Sequence, residues 1–175
     1  LADDLSLGTH IGSGWNTLTL TGAQADMRIV DSLTLADGTL AVNNGATLRT
    51  GDHRDASNTS ATIGNYSITT SGIASNIIFD TQGNDADSQI YQGTISGSGN
   101  FVRATGGTTV FTTDNSYSGS TTINQYGILH LGQGGTTGGI NPVSQIIDDG
   151  ILTVNRSNNV LLNGVISGIG ALEQI

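Results

Sequence analysis

Cysteine and lysine are both absent from this chain of 175 residues, and Glu173 is its single glutamate. Without cysteine, neither disulfides nor thiolate metal ligands can hold the fold, so packing and stacked backbone hydrogen bonds must stabilise it. Charged residues make up 11% of the sequence. Because the exposed faces of helices normally carry Glu, Lys and Arg, this composition argues against a helical protein.

Proline is almost absent as well, with Pro142 alone, whereas glycine is common, with 26 residues. Nearly every backbone N–H is therefore able to join a hydrogen-bond ladder, and the turns must use residues that tolerate positive φ. Thr, Ser, Asn and Asp fill the polar positions, which is typical of strand faces and turns. The composition predicts an all-β chain with long, continuously paired sheets.

The net charge of the chain is −9, and its basic residues are five scattered arginines. This charge argues against nucleic acid, anionic lipid or heparin as the main partner. No apolar run approaches the roughly 18 residues that a membrane helix needs. The first residues do not resemble a signal peptide, so we expect that any export signal has been removed or left out.

Two phrases in the sequence recur. Residues 127–131 (GILHL) return as residues 150–154 (GILTV), 23 positions later, and residues 93–101 (GTISGSGNF) return as 164–172 (GVISGIGAL), 71 positions later. Three of the shorter offsets almost equal the longer one. A fixed period in the twenties indicates a solenoid, in which each repeat buries its apolar face against its neighbours.

Short runs of alternating apolar residues, each bounded by turn residues, predict the strands of this solenoid. Examples are 18–20, 33–35, 40–42, 129–131 and 152–154, and the turn dipeptides are Asp37-Gly38, Asn44-Gly45 and Asp149-Gly150. An antiparallel meander of hairpins would use the same dipeptides, but it does not require the sequence pattern to repeat every 23 residues. We therefore expect a right-handed parallel β-helix of roughly eight coils, at about 22 residues per coil and about 4.8 Å between stacked strands.

Two segments, 51–64 and 81–89, break this rhythm and are rich in Asp, Asn and Ser. They are expected to protrude as loops, and specificity is expected on them or on a flat face of a sheet. Residues 171–175 (ALEQI) carry apolar side chains at three positions and begin another coil, so we expect that the chain continues or that another surface covers this end.

Residues 106–123, GGTTVFTTDNSYSGSTTI, followed by GILHL at 127–131, resemble the autotransporter-associated β-strand repeat of bacterial type V secretion passenger domains. The matching positions are Asn115, Tyr117, Gly119, Thr121, Thr122, Ile123, Gly127, Leu129 and Leu131. The resemblance is good over 92–131 and looser over 145–175. It implies that residues 1–175 are one β-helical segment of a longer passenger domain, exported to the bacterial surface. It also implies an outer-membrane β-barrel C-terminal to this segment.

The chain lacks the usual signatures of catalysis. Neither a Gly-x-Ser-x-Gly elbow nor a P-loop is present in the sequence, and His130 should face outward between Leu129 and Leu131. Asp148 and Asp149 are adjacent, so in a strand they would point to opposite faces and could not act on one bond. We expect no enzymatic activity and no cofactor. Asp85 and Asp87 are a weak candidate calcium site, because no EF-hand or related pattern surrounds them.

Candidate ligand-binding residues fall into two groups. The first is a loop cluster of Asp52, His53, Arg54 and Asp55, which is either a recognition site or a hydrated group of ion pairs. The second consists of aromatic residues that could serve as binding hot spots if exposed, or could pack at the corners of coils: Trp15, Tyr66, Tyr91 and Tyr126. We select Trp15, Tyr126 and the loop cluster as the candidate site.

The predicted function is recognition at the bacterial surface. The leading hypothesis is an adhesin or virulence factor, secreted through the outer membrane, whose partner is a host surface protein, a glycan or a neighbouring cell through self-association. Many weak hydrogen bonds across a face lined by Asn, Thr and Asp would be strengthened by multivalent display. Two alternatives stay open: a released ligand of a host receptor that mimics a growth factor or toxin, and a passive stalk.

Overall fold

The computed structural model describes residues 17–29, 32–33, 38–51, 62–63, 66–72, 75–80, 89–104 and 106–175. Over these residues the structure contains eighteen strands and no helix, so none of its elements is a helix long and apolar enough to cross a membrane. The strands are β1 (Thr17–Thr21), β2 (Asp26–Ile29), β3 (Ser32–Leu33), β4 (Thr39–Asn43), β5 (Thr47–Thr50), β6 (Thr62–Ile63), β7 (Ser67–Ser71), β8 (Asn76–Phe79), β9 (Gln89–Tyr91), β10 (Ile95–Gly97), β11 (Asn100–Arg103), β12 (Thr108–Phe111), β13 (Thr121–Ile123), β14 (Ile128–Leu131), β15 (Ile146–Asp148), β16 (Ile151–Val154), β17 (Ile166–Ser167) and β18 (Ala171–Gln174).

The strands stack as a β-solenoid, because each strand pairs with its equivalents in the coils before and after it. The order is β1-β4-β7-β10 in a four-stranded sheet, β2-β5-β8-β11-β13-β15-β17 in a seven-stranded sheet, β9-β12-β14-β16-β18 in a five-stranded sheet and β3-β6 in a two-stranded sheet. The described strands make about six turns. The roughly eight coils expected were counted over all 175 residues, whereas residues 1–16 lie outside the described part of the chain.

Every described strand pair is parallel, which confirms the solenoid and rules out the antiparallel meander for these residues. The shorter of the two sequence echoes is a true register, since Ile128 aligns with Ile151 and Leu129 with Leu152. Asn44-Gly45 therefore turns the chain from β4 into β5, which belong to different sheets, and does not close a hairpin.

The longer echo has a different cause. Ile95 lies in the four-stranded sheet opposite Ile68, whereas Ile166 lies in the seven-stranded sheet opposite Ile146. The two phrases are therefore not stacked three coils apart. Both build the same local corner, a strand followed by a glycine at positive φ, with φ 96° at Gly97 and 117° at Gly168. The sequence pattern repeats because the corner geometry repeats, and this corner is used at two different angles of the solenoid.

Apolar ladders fill the interior. In the seven-stranded sheet, Leu48, Ile77 and Phe101 stack in register and are buried, and in the five-stranded sheet Leu129 and Leu152 do the same. An aromatic cluster occupies the middle of the solenoid, with ring centroids 4.8 to 6.4 Å apart: Phe79, Tyr91, Phe101, Phe111 and Tyr117. Most of these rings meet edge to face, a geometry that adds to the stabilisation from burial.

The ends of the two predicted loops are strand residues. Thr62–Ile63 pairs with Ser32–Leu33, so the segment 51–64 returns to the solenoid before its end. Gln89 is buried and opens β9, so the segment 81–89 ends inside a strand. Positions 52–61, 64 and 81–88 lie outside the described residues.

Candidate functional site

Asn115, the first residue of the resembling repeat motif, bridges neighbouring coils. It is buried, and its side-chain Oδ1 accepts a hydrogen bond of 2.8 Å from the backbone N–H of Ile95. Its Nδ2 donates to the carbonyl oxygens of Thr113 at 3.0 Å and Gly139 at 3.1 Å. The amide thus replaces backbone pairing at a corner where 112–120 forms no strand. This role is structural, because all of these partners belong to the solenoid.

Tyr117 and Gly119 also serve the fold. The Tyr117 ring is buried against Phe101, its hydroxyl lies 2.6 Å from the Thr121 Oγ1, and burial raises the pKa of this phenol above its ordinary value. A Cβ at Gly119 would overlap the carbonyl oxygen of Gly99. The Asn-x-Tyr-x-Gly-x-Thr pattern therefore encodes close stacking of coils.

Tyr126 is the member of the candidate site that the structure describes, and it lies on the surface. Its side chain is 72% exposed, at the turn between β13 and β14 that the 2.8 Å hydrogen bond from Gly127 N–H to the Asn124 carbonyl closes. Its backbone has φ 66°, in the left-handed region. This region is uncommon for a bulky residue, since its Cβ crowds the following carbonyl at a cost of about 1–2 kcal/mol.

Two further exposed side chains occupy the same corner in the next two coils. Ile123 aligns with Asp148, and Ile128 aligns with Ile151 and Ala171, so the turns between these strands are stacked. The exposed residues at these turns include Tyr126, Asp149 and Ile169, and we name these three the corner ridge. The Ile169 N–H donates to the Asp149 Oδ1 at 3.1 Å, which ties two of the turns together.

A second surface feature, which the sequence did not reveal, lies at the other end of the five-stranded sheet. There the segments that follow β12, β14 and β16 form a shallow, open cleft. Asp114 and Arg156 form an ion pair of 3.3 Å on its wall. Three segments from three different coils meet in this cleft, so no local motif could have predicted it.

The other two aromatic candidates are not exposed, and for them the packing alternative is correct. Tyr66 and Tyr91 are both buried. The Tyr91 hydroxyl donates to the carbonyl oxygens of Tyr66 at 3.0 Å and Thr94 at 3.1 Å, and burial raises the pKa of both phenols. These tyrosines belong to the interior of the coils and cannot act as binding hot spots.

The remaining candidate residues lie outside the described part of the chain: Trp15, the loop cluster Asp52, His53, Arg54 and Asp55, and the calcium candidates Asp85 and Asp87. Their roles stay predictions. Among the described residues, no group of three or more His, Asp or Glu is arranged to hold a metal ion.

Asp148 and Asp149 have opposite environments, as their positions in the sequence predicted. Asp148 is buried, and its Oδ1 accepts a 3.0 Å hydrogen bond from the Gly150 N–H, whereas Asp149 is exposed. Burial raises the pKa of Asp148, an effect that hydrogen bonds from backbone N–H groups partly offset. His130, between buried Leu129 and Leu131, is partly exposed.

Over 64 residues the chain is 44% identical to the Adhesin BmaC autotransporter of Brucella suis biovar 1 (strain 1330). These residues are 37% of this chain and 2% of that relative, so the chain spans a very small part of the relative's length. The parallel β-solenoid agrees with this similarity. The chain fits an autotransporter passenger domain. No protein-family model and no solved structure matches this chain.

Among the described residues, Arg49 and Arg103 serve as internal ties between coils. Arg103 is fully buried, and its guanidinium donates to the carbonyl oxygens of Phe79, Gly106 and Gly107. Burial lowers the pKa of Arg103 to about 10, although nearby Asp80 opposes this shift. Asp80 in turn pairs with Arg49 at 3.2 Å. These guanidinium groups hold coils together.

Thr, Ser and Asn line the outward face of the four-stranded sheet. Several of these side chains hydrogen-bond to one another between coils: Asn44 Nδ2 to Thr21 Oγ1 at 3.2 Å, Ser71 Oγ to Asn43 Oδ1 at 2.9 Å and Thr94 Oγ1 to Ser67 Oγ at 3.1 Å. Because they already pair with each other, this face presents a rigid polar surface rather than a row of unsatisfied groups.

Proposed function

We propose that this segment is a recognition element of a bacterial surface adhesin, which contacts a host surface protein, a glycan or a neighbouring bacterium. The proposal is supported by similarity to an autotransporter adhesin and by the corner ridge. The segment acts by binding, without catalysis or a cofactor. In the complete protein, a C-terminal outer-membrane β-barrel accompanies export of the passenger to the cell surface.

Tyr126 is the observation that carries the proposal. A turn with positive φ at its third position favours Gly or Asn, and either residue would fit here without the steric cost that tyrosine pays. The structure instead holds a large aromatic ring 72% exposed at a strained backbone position. Strain of this kind collects at functional sites, and tyrosine is among the residues that dominate binding energy at interfaces. We infer that the exposed ring is retained for contact with a partner.

The rest of the corner ridge suits a protein or glycan surface. Ile169 is 84% exposed and adds an apolar contact, while Asp149 adds a carboxylate between the two apolar side chains. One ridge of three residues supplies little contact area, so each contact is weak. Many copies of the passenger on one cell would raise the overall strength of attachment, because later contacts form at high effective concentration.

Tyr126→Asn tests this role without removing the turn, because asparagine tolerates the left-handed conformation. The purified fragment is labelled and added to cultured host cells and to bacteria, and saturable binding is recorded. We expect the variant to bind at least about tenfold more weakly, which corresponds to about 1.4 kcal/mol. Its melting temperature should be unchanged or higher, because the strain is relieved. Gln125→Ala, an exposed change in the same turn, is the matched control.

Equal binding by Tyr126→Asn and the parent fragment would contradict the role of the corner ridge. The same assay separates the alternatives. Phosphorylation of a host receptor by the soluble fragment would favour a released signalling ligand. Absence of saturable binding to either cell type would favour a passive stalk, for which the continuous interior ladders are well suited.

A further inference from the structure

The shallow cleft at the end of the five-stranded sheet has walls that are tied in place. Arg156 is largely buried, and its guanidinium contacts Asp114 at 3.3 Å, the Asn158 Oδ1 at 3.0 Å and the Thr136 carbonyl oxygen. The Asp114 Oδ1 also accepts a 3.1 Å hydrogen bond from the Gly138 N–H. Three successive coils are thus joined at this cleft. A rigid wall favours binding, because little conformational freedom is lost when a ligand arrives.

Gly139 makes room for this arrangement. A Cβ at this position would lie 3.0 Å from both the Arg156 Nη1 and the Asp114 Oδ1, which is closer than side chains normally approach. The absent side chain leaves room for the ion pair to cross the loop of the intervening coil. The ion pair can therefore join residues that are 42 positions apart in the sequence.

The rim of the cleft offers polar groups that both donate and accept hydrogen bonds. The Asp114 side chain is 61% exposed, and Arg156 offsets its charge, so it presents a fixed acceptor without an unbalanced negative charge. Asn159 is exposed, and its amide makes no side-chain hydrogen bond to the described part of the chain. A carboxylate beside an amide matches adjacent hydroxyl groups, each of which can donate one hydrogen bond and accept another.

Part of the cleft lining is apolar. Ile140 lines the cleft and is nearly buried, and Pro142 and Leu161 add exposed apolar surface to the lining. A ligand that fits must therefore combine an apolar face with a hydroxyl-bearing edge. Because Arg156 already neutralises the carboxylate, the cleft has no strong preference for a cationic side chain of a peptide.

We propose that this cleft binds an uncharged sugar ring of a glycan, with its C–H face on Ile140 and Leu161 and its hydroxyls on Asp114 and Asn159. This proposal rests on the proposed recognition function and gives it a ligand class. It is structurally separate from the corner ridge. The corner ridge lies in the turns that follow β13, β15 and β17. The cleft lies in the segments that follow β12, β14 and β16, at the opposite ends of the strands of the five-stranded sheet.

The test is a titration of the ¹⁵N-labelled fragment, followed by NMR, with free glucose, galactose and N-acetylglucosamine as separate probes. For an open cleft and a single sugar we expect a Kd of about 1–10 mM, so the titration extends to roughly 50 mM. The backbone and side-chain amide signals of Asn159 and Asn141 should shift and saturate with at least one probe. Asn159→Ala should weaken that binding at least about fivefold, since it removes one pair of hydrogen bonds.

Asn163→Ala is the matched control, because Asn163 is also an exposed asparagine of the same coil but does not line the cleft. It should leave the Kd unchanged. Absence of saturable shifts at the cleft with all three sugars would overturn the proposal, and so would equal Kd values for Asn159→Ala and the parent. If sugars fail while cell binding still depends on Tyr126, the glycan proposal is wrong and the recognition function stands. If sugars bind the cleft while cells do not bind the fragment, the recognition function is wrong instead.

Discussion

Replacing Asn115 by alanine should weaken the solenoid more than any exposed substitution in the same corner. The side chain of Asn115 makes three hydrogen bonds, to Ile95, Thr113 and Gly139, and it is buried. Of these partners, the N–H of Ile95 is the critical one, because it lies inside the solenoid and would lose the acceptor that Asn115 provides. The Gly139 carbonyl keeps its 2.9 Å hydrogen bond from the backbone N–H of Asn115.

The magnitude follows from these contacts. A buried N–H left without a partner costs about 1–3 kcal/mol, and each further hydrogen bond that is lost contributes about 0.5–1.5 kcal/mol. We therefore expect Asn115→Ala to lower the free energy of unfolding by about 2–4 kcal/mol, because one of the three partners stays satisfied. For a chain of this length, 1 kcal/mol corresponds to about 2–4 °C in melting temperature.

Asn115→Asp sharpens the test. An ionised carboxylate would still accept the hydrogen bond from Ile95, but it could not donate to the Thr113 and Gly139 carbonyls and would face their oxygen atoms. A protonated carboxyl recovers one donor, so this variant should gain stability as the pH falls toward 4. Ser116→Ala, at the adjacent exposed position, is the control and should change stability by less than about 0.5 kcal/mol.

Urea unfolding of the parent and the variants, followed by circular dichroism, measures these differences. Because coils of a solenoid can open separately, hydrogen exchange at the Ile95 amide provides a local measurement. A loss below about 0.5 kcal/mol for Asn115→Ala would refute the reasoning, since surface changes have effects of that size. Unchanged exchange protection at Ile95 would refute it independently.

Two further predictions concern other corners. Gly97→Ala should destabilise the fold by more than about 2 kcal/mol, because its Cβ would overlap the Thr70 carbonyl oxygen. Gly106→Ala should cost only the backbone strain of about 1–2 kcal/mol, because no atom lies within 4 Å of its Cβ position. Thermal melting of the two variants measures this difference. Asp148→Asn should raise stability at neutral pH, because the folded state raises the pKa of Asp148 above its ordinary value of 3.8 and so disfavours the ionised form. The parent should therefore lose stability as the pH rises from about 4 through the folded-state pKa of Asp148, whereas the variant should lose less. A pH series of urea unfolding midpoints measures both chains, and equal changes in the two would contradict this prediction.

The architecture could be predicted from the sequence because composition and period constrain it directly. Alternating apolar residues and the shorter echo correspond to stacked strands, since Leu129 and Leu152 are true register partners. The echo between Ile95 and Ile166 supported the right fold for the wrong reason. A strand followed by a glycine corner is a local sequence pattern that recurs wherever the chain must turn. Similar sequences therefore do not by themselves show which sheet a strand joins.

The site was less predictable because exposure depends on neighbouring coils. The sequence alone does not distinguish the exposure of Tyr66, Tyr91 and Tyr126, but Tyr66 and Tyr91 are buried and Tyr126 is exposed. The backbone at Tyr126 distinguishes it, and a positive φ at a tyrosine cannot be inferred from residue preferences that favour Gly and Asn there. The cleft was not predictable at all, because Asp114 and Arg156 come together only after three coils have stacked.

The aromatic cluster makes the solenoid unequal along its length. Its five rings lie between β8 and the corner before β13, so the middle coils share more buried aromatic surface than the described coils on either side. Stacked coils contact only their neighbours and can be lost one at a time. Under a pulling force, we expect coils to peel from the two ends while the aromatic coils resist longest. Tyr126 follows directly after these aromatic coils. A partner bound at Tyr126 would therefore stay attached to folded coils while the outer coils unfold and extend under the force.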